Sequence, residues 1–191
     1  MRRPIAILCL LALTAAGCSS WERVSQTFPG AVGQGLPHEH ATRDGRLYSN
    51  FETVGLVSAT LLSNAFATAL TSTIAREMPG RAITDIVGFA PGGTEATLLL
   101  ILTAQHRDWR LVEPPDSPWS FFLSTEGEPR VFPKHIDTLR VPVGFERFFP
   151  AWNPWSAAAL LTFPLPVSAL DAPLQLHVQA VGGRQTTLRW P

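Results

Sequence analysis

Cysteine is nearly missing from this chain. Among 191 residues there are two, Cys9 and Cys18, and none follows position 18. Beyond that point a disulfide, a thiol nucleophile, a C-x-x-C redox pair and a cysteine-ligated zinc are excluded, so the fold must be held by packing alone. Lysine is almost as scarce: Lys134 stands alone, and the other basic residues are arginine. Neither sign of charge dominates, with 15 basic and 15 acidic residues, which argues against a nucleic-acid surface or a polybasic lipid patch. Apolar runs are short. A membrane-spanning helix needs about 20 residues, and Ile5–Ala16 and Ala96–Ala104 both fall well below that. There is no internal repeat, G-x-S-x-G elbow, P-loop, G-x-G-x-x-G turn, H-E-x-x-H pair or EF-hand loop. The chain is therefore not expected to be an enzyme, and no catalytic residue, metal ligand or cofactor is assigned to it.

What is present begins with an address. Met1-Arg2-Arg3 is a short positive start, Ile5–Ala16 is an apolar stretch of signal-peptide length, and Ala15-Ala16-Gly17 leads into Cys18. This resembles the lipobox of bacterial lipoproteins, with Ala15 where leucine is usual. The resemblance implies cleavage between Gly17 and Cys18, diacylglycerol on the Cys18 thiol and often acylation of the new amino terminus. Cys9 would leave with the signal. The twin arginine lacks the rest of a Tat pattern, so Sec export is expected. One acyl chain binds a bilayer weakly, but each buried methylene adds ~0.8 kcal/mol, so two or three chains anchor durably. By the sorting pattern the resemblance implies, Ser19 favours the outer membrane, with the protein facing the periplasm.

Three segments are expected: a lipoprotein signal peptide over 1–17, a flexible tether over 18–44 and a β-sandwich domain over 45–191. The tether reading rests on Pro29-Gly30, Gly33, Gly35 and Pro37 and on weak periodicity. Leu47–Leu62 reads as one long strand. Ser63-Asn64 offers a helix N-cap, and Phe66, Ala69, Leu70, Thr73 and Ile74 follow at helical spacing until Pro79-Gly80. Arg81–Ala90 is compatible with a second short helix. Thr94–Gln105 is rich enough in leucine and isoleucine for a strand buried on both faces. Further strands are expected at Trp119–Thr125, within Arg130–Val141 around Pro133, and at Ala157–Phe163, Leu174–Ala180 and Gln185–Trp190. The short connection Val181-Gly182-Gly183-Arg184 makes the last two a hairpin. The pattern predicts a mainly β fold, an immunoglobulin-like β-sandwich with one or two short helices inserted after the first strand.

The segments PPDSPWSFFLS (Pro114–Ser124) and FFPAWNPWSAAALLTFP (Phe148–Pro164) resemble a set of uncharacterised bacterial outer-membrane lipoproteins. There a lipobox precedes a strand–helix unit, and Asp-Ser-Pro/Ile-Trp and Phe-Phe-Pro…Asp/Asn-Pro-aromatic turns each open a strand. The matching residues are Asp116, Ser117, Pro118 and Trp119, then Phe148, Phe149, Pro150, Asn153, Pro154 and Trp155. The resemblance implies the same lipid-anchored sandwich and carries no activity.

Several clusters invite a functional reading. Phe145, Phe148, Phe149, Trp152 and Trp155 form the densest aromatic stretch, and Pro150 and Pro154 forbid a regular helix through it. It reads either as a plug for one end of the sandwich or as a candidate binding platform of Phe148, Phe149, Trp152 and Trp155. Of these, Trp155 is expected to be drawn inward with the strand that follows it, and Trp152 to face solvent. Asp116-Ser117-Pro118-Trp119 reads as a turn in which Asp116 accepts a backbone N–H and Trp119 enters the core. In an extended chain His38 and His40 would share a face, but two ligands do not close a zinc site. His106, His135 and His177 read as solvent-facing or hydrogen-bonded singles, and Glu126 and Glu128 as solubilising loop residues. The expected function is a lipid-anchored, non-enzymatic binding or assembly module of the cell envelope. Its partners would be the membrane, through the anchor, and an envelope protein. The alternatives are a glycan (peptidoglycan)-binding module using the aromatic platform and, third, a hydrolase of unknown type.

Overall fold

The apolar run Glu95–Ala104 organises the molecule. Its alternation sends Leu98, Leu100 and Leu102 to one face and Leu99 and Ile101 to the other, and both sets are buried. A strand covered on both sides needs a layer on each. The computed structural model, which describes residues 36–49, 52–105, 107–125 and 129–191, supplies them: a small sheet on one face, and helices with an aromatic loop on the other. The signal peptide, Cys18 and most of the expected tether lie outside the described residues, as do His106, Glu126 and Glu128.

The strands are β1 (Thr42–Ser49), β2 (Glu52–Leu61), β3 (Glu95–Ala104), β4 (Trp119–Ser124), β5 (His135–Thr138), β6 (Ser156–Pro166), β7 (Leu174–Ala180) and β8 (Arg184–Trp190). The helices are α1 (His38–Ala41), α2 (Asn64–Glu77) and α3 (Ile83–Val87). All pairings are antiparallel. A five-stranded sheet runs β1-β2-β3-β6-β5 and a three-stranded sheet runs β4-β7-β8. The fold is thus mainly β, with two antiparallel sheets. The core between them takes Val57, Ala59 and Leu61 from β2, Ala159, Leu161 and Phe163 from β6, and Phe121, Leu176, Val178 and Leu188 from the small sheet. The opposite face of the large sheet packs Leu99, Ile101, Ala158 and Leu160 against α2, α3 and the loop carrying Phe145, Phe148 and Phe149.

Local chemistry explains the helices. The Ser63 hydroxyl accepts the Phe66 N–H at 3.3 Å and caps α2, a contact of about 1 kcal/mol. Phe66, Ala67, Leu70, Thr73 and Ile74 form its buried stripe, with Ala69 partly buried. Full burial of each large apolar side chain contributes roughly 1.5–3 kcal/mol. The second short helix is α3, stopped by Gly88 at φ 68°. At the other end of the chain Ala180 pairs with Arg184, and Gly182 and Gly183 take φ of 84° and 77°, closing the expected β7–β8 hairpin.

The structure revises two expectations. Leu47–Leu62 is not one strand but parts of two. β1 pairs back on β2, with Ser49 opposite Glu52 and an irregularity between Leu47 and Tyr48. Residues on both sides of the connection favour β structure, so the turn left no break in the pattern. The end of the expected tether belongs to the folded unit. Leu36 and Ala41 are buried against the helical side, and strand pairing begins at Thr42. Within Arg130–Val141 the chain pairs on both sides of Pro133, as expected: Val131 bridges to Leu123 of the small sheet, and β5 joins the large one.

β1 and β8 close one side of the sandwich. Arg43 Nε donates to the Arg189 carbonyl at 2.9 Å, Trp190 Nε1 to the Ala41 carbonyl at 2.8 Å, and an Arg184 amine to the Ser49 hydroxyl at 3.0 Å. Gly45 permits the approach: a Cβ there would stand 2.7 Å from side-chain atoms of both Leu188 and Thr186.

Candidate functional site

The four aromatic residues of the expected platform do not share a surface. A 3-10 turn over Phe145–Arg147, entered through Gly144 at φ 91°, rolls the loop so that Phe145, Phe148 and Phe149 all point inward and are buried. The Phe145 and Phe149 rings stand 4.7 Å apart, and Phe149 reaches Phe66 of α2 at 6.4 Å. Trp152, expected at the surface, is partly buried edge-on to Phe145 at 5.7 Å. Trp155, expected inside, is 67% exposed. The inward alternation of β6 begins only at Ser156. Trp155 still belongs to an Asx turn, in which the Asn153 side-chain oxygen accepts the Trp155 N–H at 2.9 Å and the Asn153 carbonyl accepts the Ser156 N–H at 2.9 Å. Pro154 lies at the bend and leaves the indole outside.

Trp155 is exposed but held. The Arg110 guanidinium lies 5.8 Å from its ring, a cation–π contact of about 0.5–1 kcal/mol at an exposed site. The Asn153 amide donates to Thr103 at 3.3 Å, and Thr103 shares a 2.6 Å hydrogen bond with Ser156. Thr103 pairs with Leu56, which alternation places on the same face and which is 45% exposed. An edge therefore runs from Leu56 through Thr103 and Asn153 to Trp155, at the end of the large sheet beyond its helical cover.

The Asp116–Trp119 turn is structural. The acceptor of the Trp119 N–H is Ser117 Oγ at 3.2 Å, while Asp116 is exposed. Trp119 is buried, donates its indole N–H to the Trp109 carbonyl at 2.7 Å and meets the Trp109 ring edge-on at 5.8 Å. His38 and His40 sit on one helical turn rather than an extended segment, which separates them. His40 is exposed, whereas His38 packs edge-on against Phe66 and Phe149 and shares a 3.0 Å hydrogen bond with Thr42. Burial pushes the His38 pKa below the ordinary imidazole value, outweighing the Phe148 backbone and Asp44, which raise it. No group of three metal-ligating side chains occurs among the described residues. No helix among them is long and apolar enough to cross a membrane.

His177 is the residue whose setting the sequence did not disclose. It lies on the outer face of the small sheet, stacked on Phe122 with ring centroids 4.5 Å apart. Its Nε2 is 2.9 Å from Ser124 Oγ and its Nδ1 3.1 Å from Thr187 Oγ1. Burial, then Arg130 and Arg189, push its pKa down. The Ser124–His177 distance is that of a nucleophile–base pair, but the far ring nitrogen meets a hydroxyl rather than a carboxylate, on an open sheet face. The contacts fix the ring against Phe122. The alternation in Leu174–Ala180 already placed Gln175, His177 and Gln179 together; their neighbours across the sheet follow only from the register.

The groove beside α3 encloses about 380 Å³ and is lined by Phe89, Thr97, Asp137, Leu160 and Thr162 among others. It is open to solvent, and its polar lining is Glu95, Asp137 and the three threonines Thr94, Thr97 and Thr162. Comparisons with family models, curated proteins and solved structures found no match.

Proposed function

We propose that the protein is a non-enzymatic binding module of the bacterial cell envelope, held at the periplasmic face of the outer membrane by lipid on Cys18, and that it docks an envelope protein through the Trp155 edge. The address rests on the lipobox resemblance. The docking reading rests on one observation: Trp155 is two-thirds exposed yet fixed by Asn153 and Arg110. Tryptophan and arginine together are the pair most enriched at interface hot spots, and a ring already held in place loses little freedom on binding. Leu56 extends the apolar area along the same edge.

The finer architectural reading is an immunoglobulin-like sandwich of the constant type. Its support is the strand order. Set β1 aside, and β2-β3-β6-β5 faces β4-β7-β8 in the four-plus-three order of that fold, with α2 and α3 inserted between its first two strands.

The test uses the full chain in cells. Cys18→Ser should abolish lipid labelling and leave soluble or unprocessed protein. Photo-crosslinking from a probe at Leu56 should trap a discrete envelope protein, and Trp155→Ala should reduce that adduct at least tenfold without lowering the protein level. An adduct unaffected by Trp155→Ala refutes the docking reading, and a wild-type chain without lipid refutes the address.

A further inference from the structure

We propose that the outer face of the β4-β7-β8 sheet is a binding site for a carboxylate-bearing polysaccharide, distinct from the Trp155 edge. The register lays out three rows across the strands: Ser124–Gln175–Arg189, Phe122–His177–Thr187 and Ser120–Gln179–Gln185. Their neighbours in sequence, Phe121, Leu123, Leu176, Val178 and Leu188, point into the core, so these nine face outward. Eight of them carry an amide, hydroxyl, imidazole or guanidinium, and none of the three strands contains an aspartate or glutamate.

Among the described residues the charge on this face has one sign. Arg189 ends the first row, and the exposed Arg130 lies 4.8 Å over the Phe122 ring. Both act on His177 as repelling cations. Phe132 packs on Phe122 at 5.8 Å and is 56% exposed, leaving ring surface to solvent.

This combination selects a ligand chemistry. Arginine forks take carboxylates in bidentate pairs. Amides and hydroxyls, about 4.8 Å apart between strands and about 7 Å apart along them, offer alternating donors and acceptors to the hydroxyls of successive sugar rings. An aromatic face accepts the apolar side of a pyranose. Nucleic acid is a poorer fit, because its binding depends on neutralising many phosphates, whereas this face has two arginines in a chain of balanced charge. A bilayer is poorer still, since Phe122 is covered and Phe132 is the one large apolar side chain exposed on this face among the described residues.

Affinity electrophoresis of the full chain in neutral detergent tests the site. Gels would contain polygalacturonate, dextran as the uncharged polysaccharide, or single-stranded DNA as a polyanion without the sugar-acid pattern. Polygalacturonate should retard the wild type, with dextran and DNA at least tenfold weaker. Arg130→Gln and Phe132→Ala are both at exposed positions, and each should weaken retardation about tenfold, Arg130→Gln at an unchanged melting temperature and Phe132→Ala with the domain still folded at the temperature of the gel. Trp155→Ala should leave it unchanged, which separates failure here from failure of the docking reading. Equal retardation by dextran or by DNA, or full retardation of both Arg130→Gln and Phe132→Ala, overturns the proposal.

Discussion

Truncating two aromatic side chains of one loop should give very different losses of stability. Phe148 is fully buried among the residues between α2 and the large sheet. Phe148→Ala removes its transfer energy and leaves a cavity, together about 3–5 kcal/mol. That is a large share of the roughly 5–15 kcal/mol available to a domain. At about 2–4 °C per kcal/mol for this size, the melting temperature should fall by roughly 10 °C. Trp155 is 67% exposed, so only a third of its surface is withdrawn from water. A third of an aromatic side chain is about 50–80 Å². At about 25 cal/mol per Å² this is at most about 1–2 kcal/mol, an upper bound because unfolded chains also bury surface. Trp155→Ala should therefore lower the melting temperature by less than about 8 °C. In a chain beginning at Leu36, which omits Trp21, it should also remove the component of tryptophan fluorescence most readily quenched by iodide, because Trp155 is the most exposed tryptophan among the described residues. Thermal melts by circular dichroism, with iodide quenching of each variant, measure both quantities. A Trp155→Ala melt depressed as far as that of Phe148→Ala, or quenching unchanged by its loss, would refute the loop geometry.

Other perturbations test other parts of the structure. His38 and His177 both titrate below the ordinary imidazole value of 6.5 in the folded state, so the unfolded chain binds more protons as pH falls past that value. Stability should be full above it and decline on acidification; His38→Gln with His177→Gln should flatten the decline in urea midpoints, and an unchanged slope would contradict the assignment. Ser63→Ala should cost about 1 kcal/mol through loss of the α2 cap, read as a shift in denaturation midpoint. Gly45→Val should cost about 1–3 kcal/mol by overpacking against Leu188 and Thr186. A chain beginning at Leu36 should melt with the full-length protein, whereas one beginning at Arg46 should melt lower, having lost the first pairs of β1; equal melts for the two would show that α1 and Thr42–Gly45 contribute nothing.

Sequence patterns carried the parts of this fold that depend on near neighbours. The α2 cap and stripe, the doubly buried β3 and the Gly182-Gly183 hairpin each follow from a few adjacent side chains. The β1–β2 turn did not, because Leu47 and Tyr48 on one side and Thr53 and Val54 on the other are all good strand residues. The reversed places of Trp152 and Trp155 have a physical cause as well. Strand alternation starts at Ser156 and does not reach back into the turn governed by Asn153 and Pro154. The outer face around His177 depends on pairing Trp119–Ser124 with Leu174–Ala180, a long-range register that no local pattern encodes.

The clasp between Ala41 and Trp190 has a mechanical consequence. Any pull on the chain ahead of Leu36 reaches the fold at the free end of β1, where Thr42 pairs with Thr60. Tension there would open the β1–β2 ladder one pair at a time, the weak direction for a sheet. The Trp190 indole holds the Ala41 carbonyl, and His38 is wedged between Phe66 and Phe149, so the load must first break a side-chain grip that spans both sheets. The force is thereby passed to β8 and α2 together before any strand begins to peel.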